Sequence, residues 1–129
     1  MASVIVNTMT VIVMRDRFKH AILTALADNE IVRILDCATL HSTSVNEVIR
    51  LTGISHSTAY RKIKWMLEEG LLLTEKISIT DDGKKFSLFR STLRSIVTKY
   101  EQGKIIVQVE YNIDVIERTA ERLFSLGSD

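Results

Sequence analysis

At 129 residues the chain can bury about two-thirds of the surface its unfolded form exposes, so one compact domain is the default. Its composition, 46% hydrophobic and 26% charged with no proline, excludes a disordered or low-complexity chain, and a net charge of +1 gives no support to a generally basic nucleic-acid binder, so any cationic surface must be local. Cys37 is the only cysteine, which rules out an internal disulfide and a single-chain thiolate cluster and is compatible with a reducing cytoplasm.

The first apolar run, ASVIVNTMTVIVM, holds an asparagine and hydroxyl residues, has no basic residue before it and falls short of the roughly 20 residues a bilayer span needs. It reads as neither a signal peptide nor a membrane helix. The β-branched set Val4, Ile5, Val6, Thr8, Thr10, Val11, Ile12 and Val13 predicts a strand that needs a partner in this chain or in a second copy.

From Arg15 the apolar spacing turns helical. Phe18, Ile22 and Leu23 or Leu26 form one period, a break falls at Asp28-Asn29, and Ile31, Ile34, Leu35 and Ala38 form the next. Ser44-Val45-Asn46-Glu47 has the S-x-x-E form in which serine and glutamate satisfy opposite free amides, so a third helix begins at Val45. Val48, Ile49 and Leu51 supply its apolar face and Gly53 ends it. A fourth helix starts with Ser55 as cap and Thr58 in its first turn.

This short helix, glycine turn and longer helix are the layout of a helix-turn-helix. At about 100° per residue, Ala59, Ile63, Met66 and Leu67 share a core face, while Ser57, Tyr60, Arg61 and Lys64 lie opposite and His56 sits in the first turn, within reach of a phosphate. Arginine can read guanine with two hydrogen bonds, lysine and serine can reach bases or phosphates, and tyrosine can pack on the sugar-phosphate backbone. Alone, such a face is equally consistent with a solvated helix surface, and Glu68 and Glu69 dilute its charge.

The following stretch, LLLTEKISITDDGKKFSLFR, reads as two strands around Asp81-Asp82-Gly83, with Ile77 and Ile79 facing Phe86 and Leu88 and with Lys84 and Lys85 at the tip. A hairpin placed there can touch the DNA backbone or minor groove, which completes a winged helix. The runs ALADNEIVRILD, SVNEVIRLTGIS and STAYRKIKWMLEEGLL, with the hairpin, resemble the ArsR-like winged helix-turn-helix regulators, particularly archaeal members, over roughly residues 19 to 90. That resemblance implies dimeric, sequence-specific DNA binding with STAYRKIK as recognition helix, which marks Ser57, Thr58, Tyr60, Arg61 and Lys64, and Lys84 and Lys85 in the wing.

Metal-sensing members resembling this family carry two closely spaced cysteines on a helix, whereas this chain has Cys37 alone. Cys37 and His41, four apart, can face one metal only with ligands from a second subunit. A small buried hydrophobe and a residue near a helix C-terminus are the simpler assignments, and no metal or other cofactor is expected.

STLRSIVTKYEQGKIIVQVEYN divides at Gln102-Gly103 into a second hairpin, with Ile105, Val107, Val109 and Tyr111 alternating against Ile106, Gln108 and Glu110. It is expected to extend the sheet and to serve assembly, hold the N-terminal strand or line an effector pocket. After Asn112, a candidate cap, Ile113, Ile116, Ala120 and Leu123 repeat at helical spacing and form a candidate homodimer seam, supported by an Asp114–Arg118 pair worth a few tenths of a kcal/mol. The alternative is that this last helix only covers the sheet.

There is no glycine-rich phosphate loop, G-x-S-x-G or H-E-x-x-H, and His20, His41 and His56 have no carboxylate at a motif spacing, so catalysis is not expected. The reading is an α+β chain with an N-terminal strand (1–14), a winged helix-turn-helix (15–90) and a dimerising hairpin and helix (91–129). Its expected partners are double-stranded DNA and a second copy, contacted through Ser55, His56, Ser57, Thr58, Tyr60, Arg61, Lys64, Lys84 and Lys85 for DNA, with no membrane and with any small-molecule effector unidentified. The alternatives are a winged helix for protein contact and an effector- or metal-responsive repressor.

Overall fold

The computed structural model describes residues 9–126. Val4, Ile5, Val6 and Thr8 of the predicted N-terminal strand lie outside the described residues. Strand β1 (Met9–Ile12) leads into four helices, α1 (Asp16–Leu26), α2 (Asn29–Thr39), α3 (Val45–Thr52) and α4 (His56–Glu68). Strands β2 (Leu72–Ile79), β3 (Lys85–Ser91), β4 (Leu93–Glu101) and β5 (Lys104–Tyr111) follow, and then helix α5 (Ile113–Leu126). The architecture is α+β with antiparallel strand pairs throughout the described residues.

Local chemistry explains the helix boundaries. The break between α1 and α2 is an N-cap, because the Asp28 carboxylate accepts from the amides of Glu30 at 2.9 Å and Ile31 at 3.1 Å. All four apolar residues predicted for α2, Ile31, Ile34, Leu35 and Ala38, are buried. Only half of the capping box before α3 forms: the Ser44 hydroxyl accepts from the Glu47 amide at 3.2 Å, while the Glu47 carboxylate lies 3.6 Å from Arg50. Gly53 closes α3 in the left-handed region at φ +74°, its amide donating to Ile49 at 2.9 Å.

Leu51 departs from its predicted place on the apolar face. Val45, Val48, Ile49 and Thr52 share one arc of α3, and Leu51 sits about 110° from the centre of that arc, so it is exposed.

The strands form two sheets. Strands β2 and β3 pair as one hairpin, while β4 and β5 pair as another that takes β1 on its far side, in the order β1-β5-β4. The second hairpin therefore does not extend the first sheet; it holds the N-terminal strand. Its two-residue turn has positive φ at Gln102 (50°) and Gly103 (78°), as a tight hairpin turn matching strand twist requires; of the alternating set, Val107 and Val109 are buried, Tyr111 is half-buried and Ile105, next to the turn, is exposed.

Register overturns the predicted side-chain facing in the first hairpin. A bulge between Thr74 and Lys76 inserts Glu75, and a one-residue shift sends each following side chain to the other face. Ile77 and Ile79 consequently pair with Ser87 and Lys85, while Phe86 and Leu88 pair with Ser78 and Lys76. Both isoleucines are left about two-thirds exposed, at 63% and 65%.

Asn112 is buried, and its side-chain amide donates to the carbonyls of Thr39 and Ser91, each at 3.3 Å. That amide joins the ends of α2, β3 and β5, while the Asn112 backbone carbonyl, at the predicted cap position, accepts from the Ile116 amide at 3.2 Å. In α5 the expected Asp114–Arg118 side-chain pair is replaced: Arg118 Nε donates to the Asp114 backbone carbonyl at 3.2 Å and the guanidinium lies 4.0 Å from Glu75. Val115, about 120° around α5 from the middle of the predicted seam, is fully buried, so this helix docks on its own chain through a different face. One apolar cluster joins Val13, the helices α1 to α4, Phe89 and Val107 and Val109 of the second sheet.

Gly53→Ala tests the turn between α3 and α4. A Cβ there meets no atom within 4 Å, so only backbone strain operates, and urea unfolding should show a loss of about 1 kcal/mol. An unchanged midpoint would mean that the left-handed geometry costs an alanine nothing.

Candidate nucleic-acid interface

Helix α4 turns one face to the core and the other to solvent. Ala59, Ile63 and Met66 are buried and Leu67 is half-buried, whereas Ser57, Tyr60, Arg61 and Lys64 are exposed. His56, also exposed, stacks on Tyr60 one turn later, with ring centroids 6.1 Å apart and planes 16° from parallel. Ser55 occupies the cap position but does not cap a backbone amide, because its hydroxyl donates to the hydroxyl of half-buried Thr58 at 2.9 Å.

The three basic residues of this helix segment have different surroundings. Among the described residues, Arg61 and Lys64 make no ion pair within 4.0 Å. Lys62, about 100° around the helix from Arg61, reaches Asp28 at 2.6 Å and Glu30 at 2.9 Å at the start of α2. Hydrogen bonds to these carboxylates raise the Lys62 pKa, and the Lys62 ammonium lowers that of Asp28. Lys62 therefore fixes α4 against α2. No local sequence pattern marks this contact, because the partners of Lys62 stand 34 and 32 residues away.

The β2–β3 hairpin is carried to the side of α4 by the loop before α3. Thr43 and Phe89 exchange backbone hydrogen bonds, Thr43 donating at 3.0 Å and Phe89 at 2.7 Å, as in a one-residue strand pairing. Between α4 and β3 this leaves a groove of about 520 Å³ whose lining includes His56, Tyr60 and Lys64 on one wall and Lys85, Phe86 and Ser87 on the other. Ser44 and Asn46, from the start of α3, also line it, although the sequence marks that segment as a helix start and not as a contact.

Of the predicted contact residues, His56, Tyr60, Lys64 and Lys85 thus converge on one groove, while Ser55, Ser57, Thr58, Arg61 and Lys84 lie outside its lining. No aspartate or glutamate lines it. Glu69 is drawn away by Arg17 at 3.1 Å, whose guanidinium holds the Glu69 carboxyl below its ordinary range. At the hairpin tip the Thr80 hydroxyl does the same for Asp82.

Cys37 is half-buried on α2, and burial pushes its thiol pKa up. Among the described residues, no three His, Cys, Asp or Glu side chains converge in a way that could hold a metal ion. No described helix is long and apolar enough to cross a membrane. Comparison with protein-family models, curated proteins and solved structures returns no match.

The Lys62 contact has a defined pH window. Asp28, with a lowered pKa, contributes stability above the ordinary carboxylate value of about 4 that is lost as pH falls through its folded value; Lys62, with a raised pKa, contributes below about 10.4 and loses it on the alkaline side. Lys62→Met should therefore cost about 1–2 kcal/mol at neutral pH, a deficit that shrinks in urea titrations below about pH 3. An equal deficit at both pH values would assign the effect to packing of the lysine stem.

Proposed function

We propose that this chain is a homodimeric, sequence-specific transcriptional regulator of the winged helix-turn-helix type, with α4 in the major groove of duplex DNA and the β2–β3 hairpin as the wing. One observation carries the reading: Lys64 of α4 and Lys85 of the hairpin, both without an ion pair among the described residues, line one groove that has no acid in its lining. A positive surface of this kind gains affinity by displacing counterions from phosphates. The left-handed turn from α3 to α4 and the Thr43–Phe89 pairing support it, as does the resemblance to ArsR-like regulators.

In this reading Arg61 reads a guanine edge, Ser57 and Lys64 reach bases or phosphates, and Tyr60 packs on the sugar-phosphate backbone. Ser55, His56 and Thr58 lie at the helix start near a phosphate, and Lys84 and Lys85 anchor the wing. A twofold copy matches two half-sites. Its seam is assigned to Ile113, Ile116, Ala120 and Leu123, of which Leu123 is 66% exposed and the other three half-buried, whereas Val115 on another face is fully buried.

Protein contact is the second reading. It is favoured by exposed Ile77 and Ile79 on the hairpin and by the total charge of +1.

Fluorescence anisotropy with duplex fragments from the chain's own upstream region and from pooled genomic DNA checks the assignment. Arg61→Ala with Lys64→Ala should weaken specific binding by at least about 100-fold. Lys84→Ala with Lys85→Ala should lower the log–log salt slope by about 2, near one counterion per lost phosphate contact. Failure of the wild type on every fragment, or unchanged affinity in the α4 variant, would remove this surface as the DNA reader. In sedimentation, Leu123→Glu should convert the dimer to monomer, and an intact dimer would move the seam elsewhere.

A further inference from the structure

The groove between α4 and β3 has a part that a phosphodiester backbone leaves unused. Its lining includes the apolar side chains Val45, Ile63, Leu67, Phe86 and Phe89, of which Ile63 and Phe89 are 2% and 5% exposed. Tyr60 and His56 stack at its lip, and Lys64 and Lys85 stand on its two walls with no acidic residue in the lining. A volume of about 520 Å³ falls in the range of small-molecule sites, roughly 300–1,000 Å³, which combine an apolar body with a few polar groups that fix orientation. Strong cation without acid selects an anion, while the aromatic and aliphatic wall selects a flat apolar body.

We propose that this groove binds a small planar organic anion of the aryl carboxylate class, with its ring against the Phe86 side and its carboxylate between Lys64 and Lys85. Ser44, Asn46 and Ser87 supply hydrogen-bonding groups at the same site. Because Lys64 and Lys85 also serve the DNA contact assigned above, the bound anion competes with duplex DNA. This regulatory consequence rests on the DNA-binding reading; the binding itself does not.

The test uses 2-naphthoate and its neutral analogue 2-naphthamide, titrated into the full ¹⁵N-labelled chain without DNA. Saturable amide shifts are expected at Ser44, Asn46, Ile63, Lys64 and Phe86, with naphthoate binding at least about 10-fold more tightly than the amide. Lys64→Gln with Lys85→Gln should abolish that preference while keeping amide binding and the remaining spectrum, which shows that the variant is folded. Absence of saturable shifts, or equal affinity for acid and amide, overturns the proposal.

Duplex anisotropy with and without naphthoate then separates the two readings. Naphthoate should raise the apparent duplex Kd; binding without competition overturns the regulatory half. Duplex binding without naphthoate binding ends this inference alone, whereas naphthoate binding with no duplex binding ends the DNA reading and leaves the anion site standing.

Discussion

The Thr43–Phe89 backbone pairing decides where the hairpin lies, and the candidate interface depends on that placement. Both residues are buried, at 2% and 5% exposure, so separating them strands polar backbone groups away from water at a cost of about 1–3 kcal/mol for each unsatisfied group. Alternation along β3 then uses both faces of the strand. Phe89 lines the groove beside α4, while Arg90 turns to the carbonyl of Thr39 at 3.1 Å and to Glu75 at 3.5 Å. The same strand thus shapes the groove and grips the end of α2.

Charge pairing reconciles a nearly neutral chain with a positive face. Arg17 is paired with Glu69, Lys62 with Asp28 and Glu30, and Arg90 with Glu75, and these pairs neutralise acids as well as bases. Lys64 and Lys85 keep their charge unopposed within the groove. The Glu75 cluster has a different character. Glu75 Oε2 and Arg90 Nε are buried without hydrogen-bond partners, so attraction between the charged groups there offsets incomplete hydrogen bonding. Since Arg118 also approaches Glu75, the bulged residue of β2 links the hairpin to α5.

The second sheet and α5 divide their surfaces between the chain's own core and solvent. Val107 and Val109 enter the same apolar cluster as the helices, while Val97 and Ile12, paired through Gln108 on one face, stay exposed. In α5, Val115 is fully buried and Ile113, Ile116 and Ala120 are half-buried, while Leu123 is exposed.

By itself the sequence determined whatever rests on contacts between near neighbours. The apolar period of α2, the glycine turn after α3, the outward set Ser57, Tyr60, Arg61 and Lys64, and the Gln102-Gly103 turn were all legible, because helix periodicity and turn geometry are set within a few residues. Tertiary structure alone decided the Glu75 bulge that exposes Ile77 and Ile79, the separation into two sheets, the withdrawal of Lys62 to Asp28 and the use of Asn112 as a bridge. Each of these depends on which distant segment arrives opposite a residue. Pairing register and buried hydrogen-bond partners are chosen by packing of the whole chain, and a local pattern carries no record of that choice.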